Sequence, residues 1–417
     1  MDVKSGDRNR DIEVTAQPRR LTLLFIIAVI VLLVQIAGAA TIGTRPLTGY
    51  RSRARAVKEN PHARRHMRHL ARSRRVRTQT VARSRHRHYH ERFTASSFAN
   101  DITDGDVTTG EDPVVRQAAV DALGNMNGTV LAIEPTSGRV LAMVNQKMAL
   151  SSGAQPCSTI KLSVALAALS EGIITKETQV RLGGRSHMNL TLALAHSNNA
   201  YFEALGRQLG FEKVQHYARM YGLGELAGYH IRGEQPGVYP QEEISSKLGG
   251  VGKMCSFGEG ISMTPLQLGA LVTAMANGGT MYYLQHPTTP VEVANFQPIV
   301  KRHLDIAGLI PELSDGMAGA VNYGTARRLL VNFNEEAVLG KTGTCSRAGT
   351  RYGWFASYAN TSVGRVVVVV FLEGGRPTFG PKAAEIAGHM YRNLYDHAFF
   401  AEKPLAPAVT HDARTTD

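Results

Sequence analysis

Two hydrophobic periodicities run along this chain, and they alternate in a definite order. GTVLAIE and RVLAMVN are apolar, β-rich runs separated by Pro135-Thr136-Ser137-Gly138, a turn cluster, and they predict a hairpin. KLSVALAALSEG, starting at Lys161, follows the helical pattern and is closed by Gly172. NLTLALAHSNNAYFEALGRQLG predicts helix, break, helix. In MTPLQLGALVTAMANGG, Thr264 sits as N-cap, Pro265 at the first helical position and Gly278 as C-cap. AVLGKTGTCS, YGWFASYA and RVVVVVFLE predict strands with short connections, an antiparallel meander. AAEIAGHMYRNLYDHAF predicts a closing helix. No internal repeat is visible. Strands at both ends with helices between them predict an α+β fold.

One apolar run obeys neither period. Residues 21–39, LTLLFIIAVIVLLVQIAGA, carry no charge and are just long enough to cross a bilayer as a helix. The alternative is a cleaved signal peptide, with Ala37-Gly38-Ala39 as the small residues at the cut. The run is longer than a usual signal core, which favours a retained transmembrane anchor, with residues 1–20 as a short cytoplasmic tail. The charge is equally localised. Residues 45–92 hold 16 Lys/Arg against Glu59 and Glu91, a local +14 within a chain of +13, which leaves −1 for everything else. Residues 40–111 are therefore expected to be a basic, disordered linker, because like charges repel and little apolar surface is available to bury. The functional alternative for residues 45–92 is a patch for an anionic lipid. The acidic stretch DITDGDVTTGED at 101–112 marks the boundary, the folded domain is expected over 112–400, and 401–417 reads as a flexible tail. Flanking charge does not orient the span: Arg8, Arg10, Arg19 and Arg20 precede it, and Arg45, Arg51, Arg53, Arg55 and Lys58 follow.

The candidate chemistry begins at PCSTIK, residues 156–161. Ser158 and Lys161 are three apart at a helix start, so the amine can reach the hydroxyl. A serine is a weak nucleophile until a base takes its proton, and a desolvated lysine can be that base. A chance S-x-x-K is common, and an ordinary helix start reads the same way. Ser197-Asn198-Asn199 lies at the break between two helix patterns, where it is either a cleft-facing polar group or a plain N-cap. Lys341-Thr342-Gly343-Thr344 lies in a strand pattern. It offers a cation, two hydroxyls and a glycine that lets a ligand backbone approach, or else it is an edge strand guarded by a lysine. GGVGKM at 249–254 fails as a phosphate loop because Met254 stands where Ser or Thr is needed. His86, His88 and His90 have no Cys or carboxylate cluster beside them, and no H-E-x-x-H occurs, so no metal and no cofactor is assigned.

S-x-x-K, S-x-N and K-T-G in this order resemble the serine acyl-transfer signature of penicillin-binding proteins and β-lactamases. The resemblance extends further. EPTSGRVLAMVN, YGLGELAGYHIRGEQPGVYP, GEGISMTPLQLGALVTAMANGGTMY, GMAGAVNYGTA, GKTGT and YGWFASYA are similar to the transpeptidase domain of the high-molecular-weight penicillin-binding proteins. That resemblance implies an antiparallel five-stranded sheet flanked by helices, with a helical subdomain and the active site between them. It implies Ser158 as nucleophile, Lys161 as its base and Ser197 as proton relay to the leaving D-alanine. It implies Asn199 on the peptide amide, Lys341, Thr342, Gly343 and Thr344 around the terminal carboxylate, and an oxyanion held by the backbone N–H groups of Ser158 and Thr344. The implied partners are peptidoglycan stem peptides, β-lactams and other wall-synthesis proteins, with anionic wall polymer added to lipid for residues 45–92 and no nucleic acid. Such a substrate lies outside the cytoplasmic membrane, so residues 45–417 are expected outside it.

The departures are informative. Nothing over 40–110 resembles a glycosyltransferase domain, and a pedestal domain is not expected. A β-lactamase and a β-lactam-sensing domain are the rival readings. The E-x-x-L-N context of class A enzymes is absent after Ser197, and the tract around Glu234 resembles the transpeptidase type, whereas the carboxylated lysine of class D enzymes stays open. Position 157 is usually glycine in the family and is cysteine here. Because the resemblance puts Ser158 and Thr344 on opposite walls of one cleft, Cys157 and Cys345 are expected within disulfide range, as at the corresponding positions of carbapenem-hydrolysing class A enzymes, with Cys255 left free.

Overall fold

The computed structural model describes residues 92–361 and 364–400. The expected anchor at 21–39, most of the basic tract and the tail at 401–417 lie outside the described residues. No helix among the described residues is long and apolar enough to cross a membrane. The main elements are α1 (Pro113–Leu123), β1 (Gly128–Glu134), β2 (Arg139–Val144), α2 (Lys161–Ser170), α3 (Leu190–Ala195), α4 (Asn199–Leu209), α5 (Phe211–Met220), α6 (Gly250–Phe257), α7 (Pro265–Asn277), α8 (Ile310–Asn322), β3 (Val338–Arg347), β4 (Thr350–Thr361), β5 (Gly364–Gly374) and α9 (Gly380–Asp396).

The five strands form one antiparallel sheet in the order β2-β1-β5-β4-β3. The N-terminal hairpin thus pairs with the last strand of the meander, Gly128 opposite Leu372 and Ile133 opposite Val367. The helical subdomain is inserted between β2 and β3. This is the α+β architecture that the pattern predicts.

Strand alternation explains the five consecutive valines of β5. Val367 and Val369 join the core beneath the helical subdomain, with Leu131, Ile133 and Leu266. Val366, Val368 and Val370 join a second core beneath α1 and α9, with Val115, Ile386 and Met390. A strand covered on both faces has no polar side to show, so the run is apolar throughout. Gly269 of α7 permits close approach to the sheet, since a Cβ there would fall 2.7 Å from Ile133 Cδ1. At the start of α7, Thr264 and Gln267 form a reciprocal capping box.

The linker expected through residue 111 ends earlier. Residues 92–111 lie against the domain. The Ser97 hydroxyl accepts from the Gly375 N–H at 2.7 Å, and the Thr94 N–H donates to Gly349 O at 2.9 Å. Asp106 accepts from the backbone N–H groups of Asn145 and Gln146 and pairs with Arg116 at 2.7 Å. Glu111 also reaches Arg116, accepts from the Met143 N–H, and meets His286 at 3.0 Å. Two of the carboxylates in this acidic boundary, Asp106 and Glu111, are thus buried partners of groups farther along the chain, while Asp101 and Asp104 are exposed.

Candidate active site

Ser158 lies in a 3-10 turn, Cys157–Ile160, that leads directly into α2, whose first residue is Lys161. The turn is fixed from two sides. Trp354 of β4 donates its indole N–H to Gln155 O at 3.0 Å and stacks on Phe371. Gly343 of β3 comes so close that a Cβ there would sit 2.9 Å from Pro156 O.

Lys161 is fully buried, and its Nζ lies 2.9 Å from Ser158 Oγ. It also lies 2.8 Å from Ser197 O, 2.6 Å from Asn199 Oδ1 and 3.2 Å from Ser197 Oγ. A neutral amine has two N–H bonds and one lone pair. Ser197 O and Asn199 Oδ1 accept only, so they take the two protons, and the lone pair is left to accept from the Ser158 hydroxyl. Burial first, then the charge of Lys341, lowers the pKa of Lys161 to about 6, against a smaller opposing pull from Glu203. At neutral pH the amine is therefore mostly in the form that can act as a base.

The S-x-N residues divide their labour. Asn198 is the N-cap of α4, accepting from the Tyr201 N–H at 2.9 Å. That leaves Ser197 and Asn199 to face Lys161. Ser197 has φ +55°, a left-handed backbone that is strained for a serine and that turns both its carbonyl and its hydroxyl towards the two lysines. Lys341 is fully buried, donates to Ser197 Oγ at 2.8 Å and to Thr342 O at 2.9 Å, and burial lowers its pKa to about 7. Ser197 Oγ thus bridges two amines that both titrate near neutrality.

The rest of the quartet is split by strand alternation. Lys341 and Gly343 face the Ser158 turn. Thr342 and Thr344 alternate with them along this edge strand, and the Gly380 N–H donates to Thr344 Oγ1 at 2.8 Å. Thr342 Oγ1 lies 2.6 Å from Thr325 Oγ1. Thr325 carries no prediction in the sequence, although its GTA triplet lies within the tract GMAGAVNYGTA that carries the resemblance. Cys157 and Cys345 are disulfide-bonded, with Cα atoms 5.5 Å apart, and Cys255 is free and buried. Glu234 is occupied by the N–H groups of Ala227 and Gly228. Among the described residues no cluster of His, Cys, Asp or Glu could hold a metal ion.

A serine hydroxyl, a near-neutral amine aimed at it and a second amine across a bridging hydroxyl, in the order S-x-x-K, S-x-N, K-T-G, have a counterpart among known families. The family model described as the penicillin binding protein transpeptidase domain matches residues 128–395. The chain belongs to that family. Stage V sporulation protein D of Bacillus subtilis is 27% identical over 315 residues, which cover 63% of this chain and 48% of the relative. The peptidoglycan D,D-transpeptidase MrdA of Acinetobacter baumannii is 24% identical, covering 70% of this chain and 53% of the relative. The chain thus spans about half the length of these curated relatives. The peptidoglycan D,D-transpeptidase PbpA of Mycobacterium tuberculosis is 22% identical, covering 72% of this chain and 73% of the relative. Among solved structures, a peptidoglycan glycosyltransferase from Burkholderia ambifaria superposes with a TM-score of 0.58 at 21% identity, covering 71% of this chain and all of that one. Pseudomonas aeruginosa PBP2 in complex with WCK 5153 gives 0.57 at 22% identity, covering 71% of this chain and 78% of that one. At those identities the superpositions establish the shared transpeptidase fold.

Proposed function

We propose that this chain is a serine-type D,D-transpeptidase that binds penicillin and crosslinks peptidoglycan stem peptides through an acyl-enzyme on Ser158. The observation that carries the reading is the Lys161 amine, 2.9 Å from Ser158 Oγ, with its other partners all acceptors or hydroxyls and its pKa lowered to about 6. The family membership and the relatives named as peptidoglycan D,D-transpeptidases support it.

In this mechanism Ser158 Oγ attacks the carbonyl of the penultimate D-alanine while its proton passes to Lys161 Nζ. The negative charge on the carbonyl oxygen is met by the backbone N–H groups of Ser158 and Thr344. Collapse breaks the peptide bond, and the proton returns through Ser197 Oγ to the departing D-alanine nitrogen. A stem-peptide amine then attacks the ester, giving up its proton by the reverse path. The terminal carboxylate is received by Lys341 and the Thr342 and Thr344 hydroxyls, and Asn199 holds the peptide amide.

The setting we propose is a single-pass anchor at residues 21–39 with the catalytic domain outside the cytoplasmic membrane. Residues 45–92 then lie beside anionic lipid or wall polymer, and other wall-synthesis proteins are the partners. A C-terminal alkaline phosphatase fusion is expected to be active, and an inactive one would reverse this topology.

Labelled benzylpenicillin tests the chemistry. It is expected to attach covalently to the wild-type chain and not to Ser158→Ala. Labelling that survives in Ser158→Ala would overturn the assignment. Long-lived, stoichiometric acylation is expected with a chromogenic β-lactam, and rapid turnover would indicate a β-lactamase instead.

A further inference from the structure

We propose that Thr325 is a positioning residue for the reaction: it donates to Thr342 Oγ1 and so turns the Thr342 proton towards the substrate carboxylate. The inference rests on the reading above, in which Thr342 receives that carboxylate.

Thr325 is placed by backbone, not by its own side chain. Tyr323, Gly324 and Thr325 follow α8 and are docked on the end of α3. The Thr325 N–H donates to Ala195 O at 3.1 Å, two residues before Ser197. Gly324 lies so close to the same carbonyl that a Cβ there would sit 2.1 Å from Ala195 O, which leaves only glycine at that position. From this fixed turn the Thr325 hydroxyl reaches across to β3 and meets Thr342 Oγ1 at 2.6 Å. One residue therefore ties the turn that presents Ser197 to the strand that presents Lys341 and Thr342, the two sides of the cleft.

The chemistry of that contact has a direction. Each hydroxyl carries one proton and can also accept. If Thr342 donates to Thr325, it presents a lone pair outward, and a carboxylate is repelled. If Thr325 donates to Thr342, the Thr342 proton is free to point outward, and a carboxylate is bound. An anionic substrate selects the second arrangement, and a partner at 2.6 Å makes that arrangement available without disturbing the Thr342 rotamer. Lys341 cannot take over this task. Its amine donates to Thr342 O, the backbone oxygen of the same residue, and to Ser197 Oγ.

The role predicts dependence on the charge of the substrate. A purely structural residue would slow every acylating agent alike. The test compares acylation of the full chain by benzylpenicillin and by its methyl ester, which has the same reactive ring without the carboxylate. Thr325→Val is expected to lower the second-order acylation rate for the acid roughly tenfold, as for loss of one hydrogen bond to a charged group, and to leave the ester rate within about twofold of wild type. Thr325→Ser keeps the hydroxyl and is expected to restore the acid rate, which also guards against a Thr325→Val chain that folds poorly. Equal losses for acid and ester, no loss for the acid, or failure of Thr325→Ser to restore it would each overturn the positioning role while leaving Ser158 as nucleophile. Labelling that persists in a parallel Ser158→Ala chain would overturn the acyl-enzyme reading, and this one with it.

Discussion

A lysine whose pKa is about 6 loses its proton at physiological pH, and at Lys161 burial and two neighbours decide where that happens: burial lowers it most, the charge of Lys341 lowers it further, and Glu203 pulls the other way. Lys341, lowered to about 7 by burial, is needed in the opposite state in the proposed mechanism. As an ammonium it has three donors. Ser197 Oγ and Thr342 O use two, and only the charged form keeps a third for a carboxylate. Raising the pH through about 6 therefore supplies the base, and raising it past about 7 withdraws the carboxylate donor. The rate of Ser158 acylation by benzylpenicillin is expected to be a narrow bell between about pH 5 and 9, with limbs that belong to the coupled pair rather than to either lysine. Lys161→Arg, which holds its proton throughout, is expected to remove the rise on the acid side and to keep the fall on the alkaline side, at a rate lower by about a hundredfold or more. A wild-type rate that does not change across the range would contradict both assignments.

The same turn carries a second unusual residue. Cys157 has φ +52°, a conformation open to glycine and uncommon for a residue with a Cβ. The bond to Cys345 ties that turn to β3, across 188 residues of sequence. In the chain-entropy picture a loop of that length stabilises the fold by about 5 kcal/mol, before any strain is subtracted. Thiol counting checks the pairing. Denatured, unreduced protein is expected to take up alkylating reagent at Cys255 alone, and reduced protein at all of Cys157, Cys255 and Cys345. Uptake at all of them without reduction would remove the bridge.

At the level of elements, the parts legible in the sequence are those whose signal is local. Thr264, Pro265 and Gly278 fix both ends of α7, and the break at Ser197-Asn198-Asn199 separates α3 from α4 where the polar residues interrupt the pattern. What local pattern does not carry is which face of an element meets which neighbour. Motif spacing gives Lys341-Thr342-Gly343-Thr344 as one unit, yet β3 turns Lys341 and Gly343 towards Ser158 and its two threonines towards Thr325 and Gly380. Thr325 was not legible as a site residue for the same reason, since its contacts with Ala195 and Thr342 are made far from it along the chain. The close approach of β3 to the Ser158 turn makes a prediction of its own. A methyl at position 343 would meet Pro156 O at 2.9 Å, Thr159 Cγ2 at 3.2 Å and Trp354 Cβ at 3.2 Å. Two of those three atoms belong to rigid backbone or to a stacked indole, so β3 must move. Gly343→Ala is expected to destabilise the domain by about 1–3 kcal/mol and to slow acylation at least tenfold. Fluorescent penicillin labelling beside a thermal melt measures both, and wild-type labelling would show that the strand is not held as closely as the geometry indicates.

For the whole molecule, the question is where the catalytic unit begins. Charge and composition place the boundary near residue 112, because a run of acidic residues beside a basic tract looks solvated. The folded structure gives two of those acids buried partners. Asp106 and Glu111 are the carboxylates that meet Arg116, and their side chains are 2% and 1% exposed. Asp106 also satisfies the N–H groups of Asn145 and Gln146, and Glu111 those of Met143 and the His286 ring. Farther back, Ser97 bonds both Gly375 and Thr378 at the end of β5. A chain beginning at residue 92 keeps all of these contacts. A chain beginning at residue 112 leaves Arg116 without its anions and several backbone donors without acceptors, and removing one partner of a buried pair alone typically costs about 3–5 kcal/mol. The two truncations are therefore expected to differ sharply. Residues 92–417 should take up labelled penicillin at the rate of the full chain, since neither the basic tract nor the apolar run supplies a catalytic group. Residues 112–417 should unfold at a much lower urea concentration, or fail to accumulate in folded form. Equal urea midpoints for the two fragments would return residues 92–111 to the linker, and a large loss of labelling in the longer fragment would make the basic tract part of the catalytic fold.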